Sequence, residues 1–233
     1  MKHPRILCLA AHPDDVEHYM GGALLLMRDK AAPARVVILT DGERGTLQPE
    51  QGTRRDEARA ALDYLGMDGR FLGLPDGLLA ASRDLESRLA REIDAYSPEL
   101  IFAPHAGDSH PDHAAMGRSM DSLCAAGLRG CWRYLDLWSS VEPSHVLCLG
   151  EDYREKEALI LFHGSQIPGP EAGREHLPGG MDVLARAMER DRRCGGRAGY
   201  GEPYVAPRPR PGRGGGPAII RDLAGFSSVD GTV

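Results

Sequence analysis

Two short segments combine histidine and aspartate at a spacing suited to binding a metal ion. Residues 12–15 read His-Pro-Asp-Asp, and residues 110–113 read His-Pro-Asp-His. An imidazole and a carboxylate three residues apart on one loop can reach the same ion, and an imidazole from the other loop completes three protein ligands. A fourth position then remains for water, whose pKa the cation lowers toward about 7. The two segments therefore predict a catalytic metal centre.

Each segment alone also has a simpler explanation. A His-Pro-Asp sequence is common in turns, and an aspartate directly before a helix often caps the helix N-terminus. Asp14 or Asp15 suits such a cap for the helix predicted to follow. Because histidine and aspartate occur together after two different predicted strands, metal binding is favoured over turn chemistry.

The apolar patterning predicts the elements that position both segments. Apolar runs at 5–11 and 100–103 predict strands that are buried on both faces. Further strands are predicted at 35–40 and 70–73, and helices at 16–30, 54–65, 84–96 and 111–125. Strands that alternate with helices predict an α/β fold, a Rossmann-like three-layer sandwich with a mostly parallel sheet. Such sheets bind ligands beyond the carboxyl ends of their strands, where both segments lie.

The pattern is weaker beyond residue 131. Strands are predicted at 132–138 and 145–149, and helices at 151–162 and 181–193. Residues 207–217 contain four prolines and four glycines, which predicts a stretch without regular structure. We therefore expect one domain over residues 1–233, with 207–233 as a flexible tail.

Charge and hydropathy narrow the classes of partner. Acidic residues outnumber basic ones by 34 to 28, which gives a formal net charge of -6 and a pI near 5.8. This balance argues against a dedicated nucleic-acid or anionic-membrane binder. No apolar stretch approaches the roughly 20 residues of a membrane-spanning helix. A small-molecule substrate is expected, with no nucleic-acid and no membrane partner.

The cysteines indicate the redox environment. The five cysteines are scattered along the chain and contain no CxxC pair. An odd, scattered set favours neither a disulfide framework nor a thiolate zinc site. We expect free thiols in a cytoplasmic protein.

The motifs resemble those of the LmbE-like or PIG-L-like zinc-dependent N-acetylglucosamine deacetylases. Residues 11–17 followed by Gly21-Gly22 resemble the first motif of the family, and residues 110–113 resemble its second. The other similar segments are 39–43, Arg54 with Glu57, 74–77 and, more weakly, 163–166 and 200–204. The resemblance is dense over residues 5–125 and thin beyond them.

The resemblance implies a role for each residue of the two segments. His12, Asp15 and His113 would bind Zn²⁺, with Fe²⁺ as a second candidate in the cell. Asp14 would be the general base that accepts a proton from the metal-bound water. His110 would stabilise the oxyanion or protonate the leaving amine.

The resemblance also implies the reaction and the substrate contacts. The reaction is hydrolysis of the acetamide of an N-acetylglucosaminyl conjugate, which releases acetate and a free amine. Arg54 and Asp76 would contact the sugar and its aglycone, and Asp112 would orient an imidazole. Residues 16–22 favour the members that act on N-acetylglucosaminyl malate. A homo-oligomer is expected.

Some features depart from the family or point elsewhere. Tyr19 stands where the family commonly has a small residue, and residues 208–216 differ most. Two histidines and one aspartate also describe the ligands of non-haem Fe(II) enzymes, although the additional Asp14 and His110 favour hydrolysis. A non-catalytic sugar- or nucleotide-binding module is a third interpretation, since fold alone does not determine function. Asp41 and Glu43 are weaker candidates for hydrogen bonds to sugar hydroxyls, with turn chemistry as the alternative, and His163 and Gln166 are weaker candidates for the pocket wall.

Overall fold

A computed structural model of the chain describes residues 3–45, 50–135, 139–150, 153–167, 200–207 and 226–228. The strands are β1 (Ile6–Ala10), β2 (Ala34–Thr40), β3 (Asp68–Leu74), β4 (Leu100–Pro104), β5 (Cys131–Tyr134), β6 (His145–Gly150), β7 (Tyr200–Val205) and β8 (Phe226–Ser228). The helices are α1 (Asp15–Asp29), α2 (Thr53–Leu65), α3 (Leu85–Tyr96), α4 (Pro111–Ala126) and α5 (Tyr153–Ile160), with short 3-10 turns at Leu79–Ala81 and Leu161–Gln166. Within these residues, no helix is both long and apolar enough to cross a membrane.

The eight strands form one mixed sheet in the order β3-β2-β1-β4-β5-β7-β6-β8. The first five strands of the chain pair in parallel, whereas β7, β6 and β8 extend the sheet through antiparallel pairs. The strand order reverses between β1 and β4, which opens a crevice beyond their carboxyl ends. The predicted α/β class with a mostly parallel sheet is confirmed.

The central strand β1 is buried on both faces, as its apolar run predicted. Ile6, Cys8 and Ala10 belong to the hydrophobic cluster that includes α1 and α2, and Leu7 and Leu9 belong to the cluster that includes α3 and α4. Alternate side chains of a strand point to opposite faces, so one short run anchors both helical layers.

Element boundaries in the first half differ little from the prediction, with one exception. β3 spans seven residues rather than the predicted 70–73 and pairs with β2 over that length, apart from one register shift. Most of its residues are exposed or half-buried, because β3 lies at the edge of the sheet. A search for apolar runs underestimates such a strand.

The differences are larger after residue 131. The strand predicted at 132–138 is β5, which ends at Tyr134, and residues 136–138 lie outside the described part. The helix predicted at 151–162 is shorter, since α5 ends at Ile160 and the chain then tightens into a 3-10 turn. The predicted helix at 181–193 and nearly all of the stretch at 207–217 also lie outside the described residues.

Two strands of the second half were not predicted. β7 contains Gly201 and Pro203, two residue types that disfavour strands in sequence-based reasoning. β8 pairs with β6 and lies inside the segment 207–233, for which a flexible tail was expected. Three residues are too few to leave a readable pattern.

Helix α1 is bent at Met20, whose backbone (φ -141°, ψ 24°) is not helical. The bend frees the N–H groups of Gly22 and Ala23, and both donate to the carboxylate of Glu202 on β7, at 2.6 and 3.0 Å. Glu202 thus caps the second part of α1 as an N-terminal carboxylate would cap a separate helix.

The carboxylate of Glu202 is itself held by buried partners. The ammonium group of Lys156 lies 2.6 Å from one oxygen, and the Tyr204 hydroxyl donates to the other at 2.9 Å. Both residues of the ion pair are at most 2% exposed. The glycine pair of α1 permits close packing here, because a Cβ at Gly21 would lie 3.1 Å from the Lys156 side chain and one at Gly22 would overlap the Leu149 side chain.

We expect Glu202→Ala to lower the free energy of unfolding by about 3–5 kcal/mol, because it leaves the buried ammonium group of Lys156 without its carboxylate partner. Urea denaturation measures this loss. The matched control is Glu155→Ala, which removes a more exposed ion pair with Arg28 and is expected to cost less than about 1 kcal/mol. Equal losses in the two variants would contradict a structural role for Glu202.

Candidate active site

The loop after β1 and the first turn of α4 bring the three predicted metal ligands together. His12 Nδ1 lies 3.1 Å from His113 Nε2, and Asp15 Oδ1 lies 3.1 Å from His113 Nε2 and 3.6 Å from His12 Nδ1. Ligands at about 2.0–2.1 Å from a tetrahedral zinc ion stand about 3.3 Å apart. All three side chains are buried. The spacing and the donor types therefore fit one small divalent cation.

Asp15 contributes one oxygen to this cluster and uses the other to hold its own loop. Asp15 Oδ2 accepts hydrogen bonds from the N–H groups of Ala11 and His12, at 2.8 and 2.9 Å. Burial would raise the pKa of Asp15, but His113 and His12 hold it well below its usual range. The carboxylate is therefore charged and fixed in direction.

The two aspartates at the start of α1 do not cap the helix in the predicted manner. Asp14 occupies the N-cap position but makes no side-chain hydrogen bond to the helix, and Asp15 bonds to the preceding loop instead. Asp14 also has a φ of 107°, in the left-handed region that side chains disfavour. Such local strain is typical of functional sites, where tertiary contacts maintain it.

Arg54 supplies the contacts that hold Asp14. The guanidinium of Arg54 donates to Asp14 Oδ1 at 3.1 Å, to the Pro13 carbonyl at 3.0 Å and to the Gly42 carbonyl at 2.7 Å. Arg54 is only 7% exposed. Sequence reasoning predicted a substrate contact for Arg54 and missed this positioning of Asp14. The substrate contact stays a prediction.

Asp108 is a residue of the site that sequence reasoning missed. Its Oδ2 lies 3.1 Å from His113 Nδ1, and its Oδ1 accepts the N–H of His110 at 2.8 Å. A carboxylate behind an imidazole directs the other ring nitrogen toward a metal. Burial lowers the pKa of His113, but Asp15 and Asp108 outweigh it and raise the pKa to about 10. Only its place two residues before His110 could have suggested this role.

Asp112 and Asp76 lie behind the other histidine. His12 Nε2 is 3.1 Å from Asp76 Oδ1 and 3.5 Å from Asp112 Oδ2, at ion-pair distance but without hydrogen-bond alignment. Burial opposes protonation of His12, yet Asp15, Asp112 and Asp76 raise its pKa well above the usual value. The orienting role predicted for Asp112 stays a prediction. For Asp76, which was predicted to contact the sugar, the structure adds a contact with His12.

Both of these aspartates are fixed by backbone N–H groups. Asp112 accepts from Gly77 at 2.7 Å and from Leu79 at 3.0 Å, and Asp76 Oδ2 accepts from Arg44 at 2.6 Å. His12 also belongs to two other groups of possible metal-ligating atoms among the described residues, one with His110 and His113 and one with Asp76 and Asp112. Backbone donors occupy both Asp112 oxygens, whereas the backbone donors to Asp15 bind Oδ2 and leave Oδ1 facing the two histidines.

His110 lies beside the cluster and is more exposed than the other histidines. Its ring centroid is 4.6 Å from that of His12 and 4.8 Å from that of His113. Its Nδ1 accepts the N–H of Asp112 at 3.3 Å and so caps α4. Burial and then the two neighbouring histidines lower the pKa of His110. With Nδ1 as the acceptor, the neutral ring carries its proton on Nε2.

The roles of the remaining candidates stay predictions, and the structure gives their contacts. Tyr19 stacks on Tyr134 with ring centroids 5.8 Å apart and presents its edge to His113 at 6.0 Å. Glu43 accepts the N–H of Asp76, so it orders that loop. His163 is buried against Glu17, with 3.5 Å between Nε2 and a carboxylate oxygen. Asp41 lies 3.3 Å from the Arg55 guanidinium, and Gln166 donates to the Ser165 carbonyl.

Comparison with known proteins supports the resemblance to deacetylases that the sequence motifs suggested. The chain is 26% identical over 163 residues to the diacetylchitobiose deacetylase of Thermococcus kodakarensis, an alignment that covers 65% of this chain and 61% of the relative. It is 30% identical over 115 residues to the 4-oxalmesaconate hydratase of Pseudomonas putida, which covers 45% of each protein. The alignments therefore span less than two thirds of these relatives.

A solved structure covers more of the chain. A conserved protein from Thermus thermophilus superposes with a TM-score of 0.74 and 28% sequence identity, covering 91% of this chain and all of that one. The sequence profile described as PIG-L, GlcNAc-PI de-N-acetylase, matches residues 7–124, which are about half of the chain. These residues include every residue of the site described above except Tyr134, His163, Ser165 and Gln166. The chain therefore belongs to the PIG-L family.

Proposed function

We propose that the protein hydrolyses the acetamide of an N-acetylglucosaminyl conjugate and releases acetate and a free amine. The observation that carries this proposal is the cluster of His12, Asp15 and His113 with Asp14 and His110 beside it. A ligand set flanked by a carboxylate and an imidazole is what metal-assisted amide hydrolysis requires. Membership of the family and the deacetylase named among the relatives support the same reaction.

Zn²⁺ is the proposed metal, with Fe²⁺ as a second candidate. Two imidazole nitrogens and one carboxylate oxygen suit a tetrahedral catalytic site with an open position. A cation held there would lower the pKa of a bound water and polarise the acetamide carbonyl. Asp108 and Asp112, behind the two histidines, would help to direct the opposite ring nitrogens toward it.

Asp14 is the proposed general base. Arg54 holds Asp14 Oδ1 and, through the Pro13 carbonyl, the backbone before it, so the carboxylate is fixed next to the ligand residue Asp15. A carboxylate at this position can accept the proton of the attacking water.

His110 is the proposed electrophilic and acid group. Its Nδ1 is occupied by the Asp112 N–H, so its Nε2–H is the donor available to the substrate. Such a donor stabilises negative charge on the carbonyl oxygen as water adds, and can pass a proton to the leaving amine. A neutral ring performs the first task without requiring protonation.

The substrate class is proposed from the same relationship. Arg54, Asp76 and the aromatic ring of Tyr19 lie around the centre, where they would contact a sugar and its aglycone. N-acetylglucosaminyl malate is the proposed conjugate, in a cytoplasmic homo-oligomeric enzyme. No observation favours an Fe(II) oxygenase or a non-catalytic binding module. The hydratase among the relatives supplies a second activity to assay.

The first test is amine release from a panel of N-acetylglucosaminyl conjugates, both acidic and neutral, with and without a chelator. We expect release that the chelator abolishes and added Zn²⁺ restores. The same preparation is assayed for hydration of 4-oxalmesaconate, the compound in the name of the hydratase relative. Hydration without amine release by zinc-loaded protein would refute the deacetylase assignment and leave the metal site in place.

Asp14→Asn is expected to lower kcat by about 10²–10⁴-fold, because the amide cannot accept the proton of the attacking water. Zinc content and KM should change little, since the three ligands are untouched. The matched control is Asp56→Asn, an exposed aspartate in the first turn of α2, which should retain wild-type kcat. A kcat near wild type in Asp14→Asn would exclude Asp14 as the base.

Asp108→Ala is expected to weaken zinc binding by about 10–100-fold, because His113 loses the carboxylate that orients its ring. Competition with a chromogenic chelator measures this affinity directly and needs no substrate. Asp84→Ala, at an exposed aspartate before α3, serves as the control. Unchanged zinc affinity in Asp108→Ala would show that the contact with His113 does not support the metal.

A further inference from the structure

A second group of reactive side chains lines a cavity that shares no residue with the proposed metal site. The cavity measures about 660 Å³ and lies where the last turn of α4, the start of β5 and the end of β7 meet. Its lining includes Cys124, Cys131, Arg129 and Arg133. None of the proposed metal ligands or acid-base residues lines it.

The fold brings two cysteines to the same cavity although they stand on different elements. Cys124 lies on α4 and Cys131 is the first residue of β5, and both line the cavity. Both belong to the same hydrophobic cluster, in which Cys131 is 4% exposed and Cys124 is half-buried at the cavity. One thiol is therefore reachable from solvent and the other lies behind it.

A buried arginine contacts both sulfur atoms. Arg133 donates through one nitrogen to Cys131 Sγ, and its other terminal nitrogen lies 3.7 Å from Cys124 Sγ. The same nitrogen bonds to Asp121 at 2.9 Å, which fixes the guanidinium. His105 and Arg129 are the other titratable or charged side chains that line the cavity.

This environment makes the two thiols unequal. The hydrogen bond from Cys131 and the charge of Arg133 outweigh burial and lower the pKa of Cys124 to about 6. Burial and the neighbouring Cys124 raise the pKa of Cys131 well above its usual value. At neutral pH, Cys124 is a thiolate and Cys131 is a thiol, which is the arrangement of an attacking cysteine and its resolving partner.

We propose that Cys124 and Cys131 form a redox-active dithiol that small hydroperoxides oxidise to a disulfide. The Cys124 thiolate attacks the terminal peroxide oxygen, the O–O bond breaks, and the departing alkoxide or hydroxide takes up a proton. The sulfur loses two electrons and becomes a sulfenic acid, while the peroxide is reduced. Cys131 then loses its proton and attacks the Cys124 sulfur, an S–S bond forms, and the hydroxyl group leaves as water.

Arg133 serves both halves of this sequence. It stabilises the Cys124 thiolate before oxidation, and once that charge is lost its contact with Cys131 stabilises the second thiolate. The resulting disulfide would join the last turn of α4 to the first residue of β5. The proposal does not depend on the deacetylase assignment, since it uses neither the metal ligands nor the substrate.

The first experiment measures the pH dependence of iodoacetamide labelling on the whole protein, residue by residue, by peptide mass mapping. We expect a midpoint near pH 6 for Cys124 and little labelling of the buried Cys8. Arg133→Met should raise the Cys124 midpoint by ~1 pH unit or more, because the neighbouring cation is lost. Arg129→Gln, an exposed arginine of the same cavity, should leave the midpoint unchanged. A wild-type midpoint at or above about 8.5, the ordinary cysteine value, would overturn the proposal.

The second experiment treats the protein with hydrogen peroxide and maps its peptides without reduction. We expect a Cys124–Cys131 cross-link in the wild type, and in Cys131→Ser a sulfenic acid on Cys124 that a dimedone reagent captures. Sulfenic acid on Cys131 instead, or oxidation of the wild type that leaves the two cysteines unlinked, would overturn it. The wild-type map stands even where a variant fails to fold.

Discussion

The structure of the site depends on a concentration of buried negative charge around two imidazoles. Four aspartates face His12 or His113, and each is less than one-tenth exposed: Asp15, Asp76, Asp108 and Asp112. Buried carboxylates are costly unless they are paired and hydrogen-bonded, and each of these four accepts at least one backbone N–H. The negative charge of these aspartates favours positive charge on the two imidazoles, and the pKa values of His12 and His113 are therefore raised.

The same hydrogen bonds align loops that come from distant parts of the chain. Asp112 at the start of α4 binds the N–H groups of the loop after β3, and Asp76 of that loop faces His12 after β1. Arg54 of α2 joins the loop after β2 to the strained residue Asp14. The carboxyl ends of β1, β2 and β3 are thus connected through polar contacts, while the apolar strands beneath them supply the rigid platform.

Residues of the second half of the chain stabilise helix α1, whose first residue lies in the site. Glu202 and Lys156 form a buried ion pair that caps the second part of α1, beyond the bend at Met20. The bend separates the first turns of α1, which carry Asp14 and Asp15 into the site, from the turns that pack on α5. A region with weak sequence patterning therefore stabilises the helix that follows the first histidine segment.

The sequence by itself determined the α/β class, the central buried strands and the candidate metal-binding residues of the two histidine segments. Apolar runs and metal-ligand spacing are local patterns, so they can be recognised without the tertiary structure. Only the tertiary structure decided that Arg54 holds Asp14, that Asp108 contacts His113 and that Arg133 contacts both Cys124 and Cys131. These side chains have an ordinary local context, so that an arginine on a helix or an aspartate in a turn carries no visible signal. Their roles arise from which elements the sheet brings together, and that depends on long-range packing and charge pairing rather than on sequence spacing.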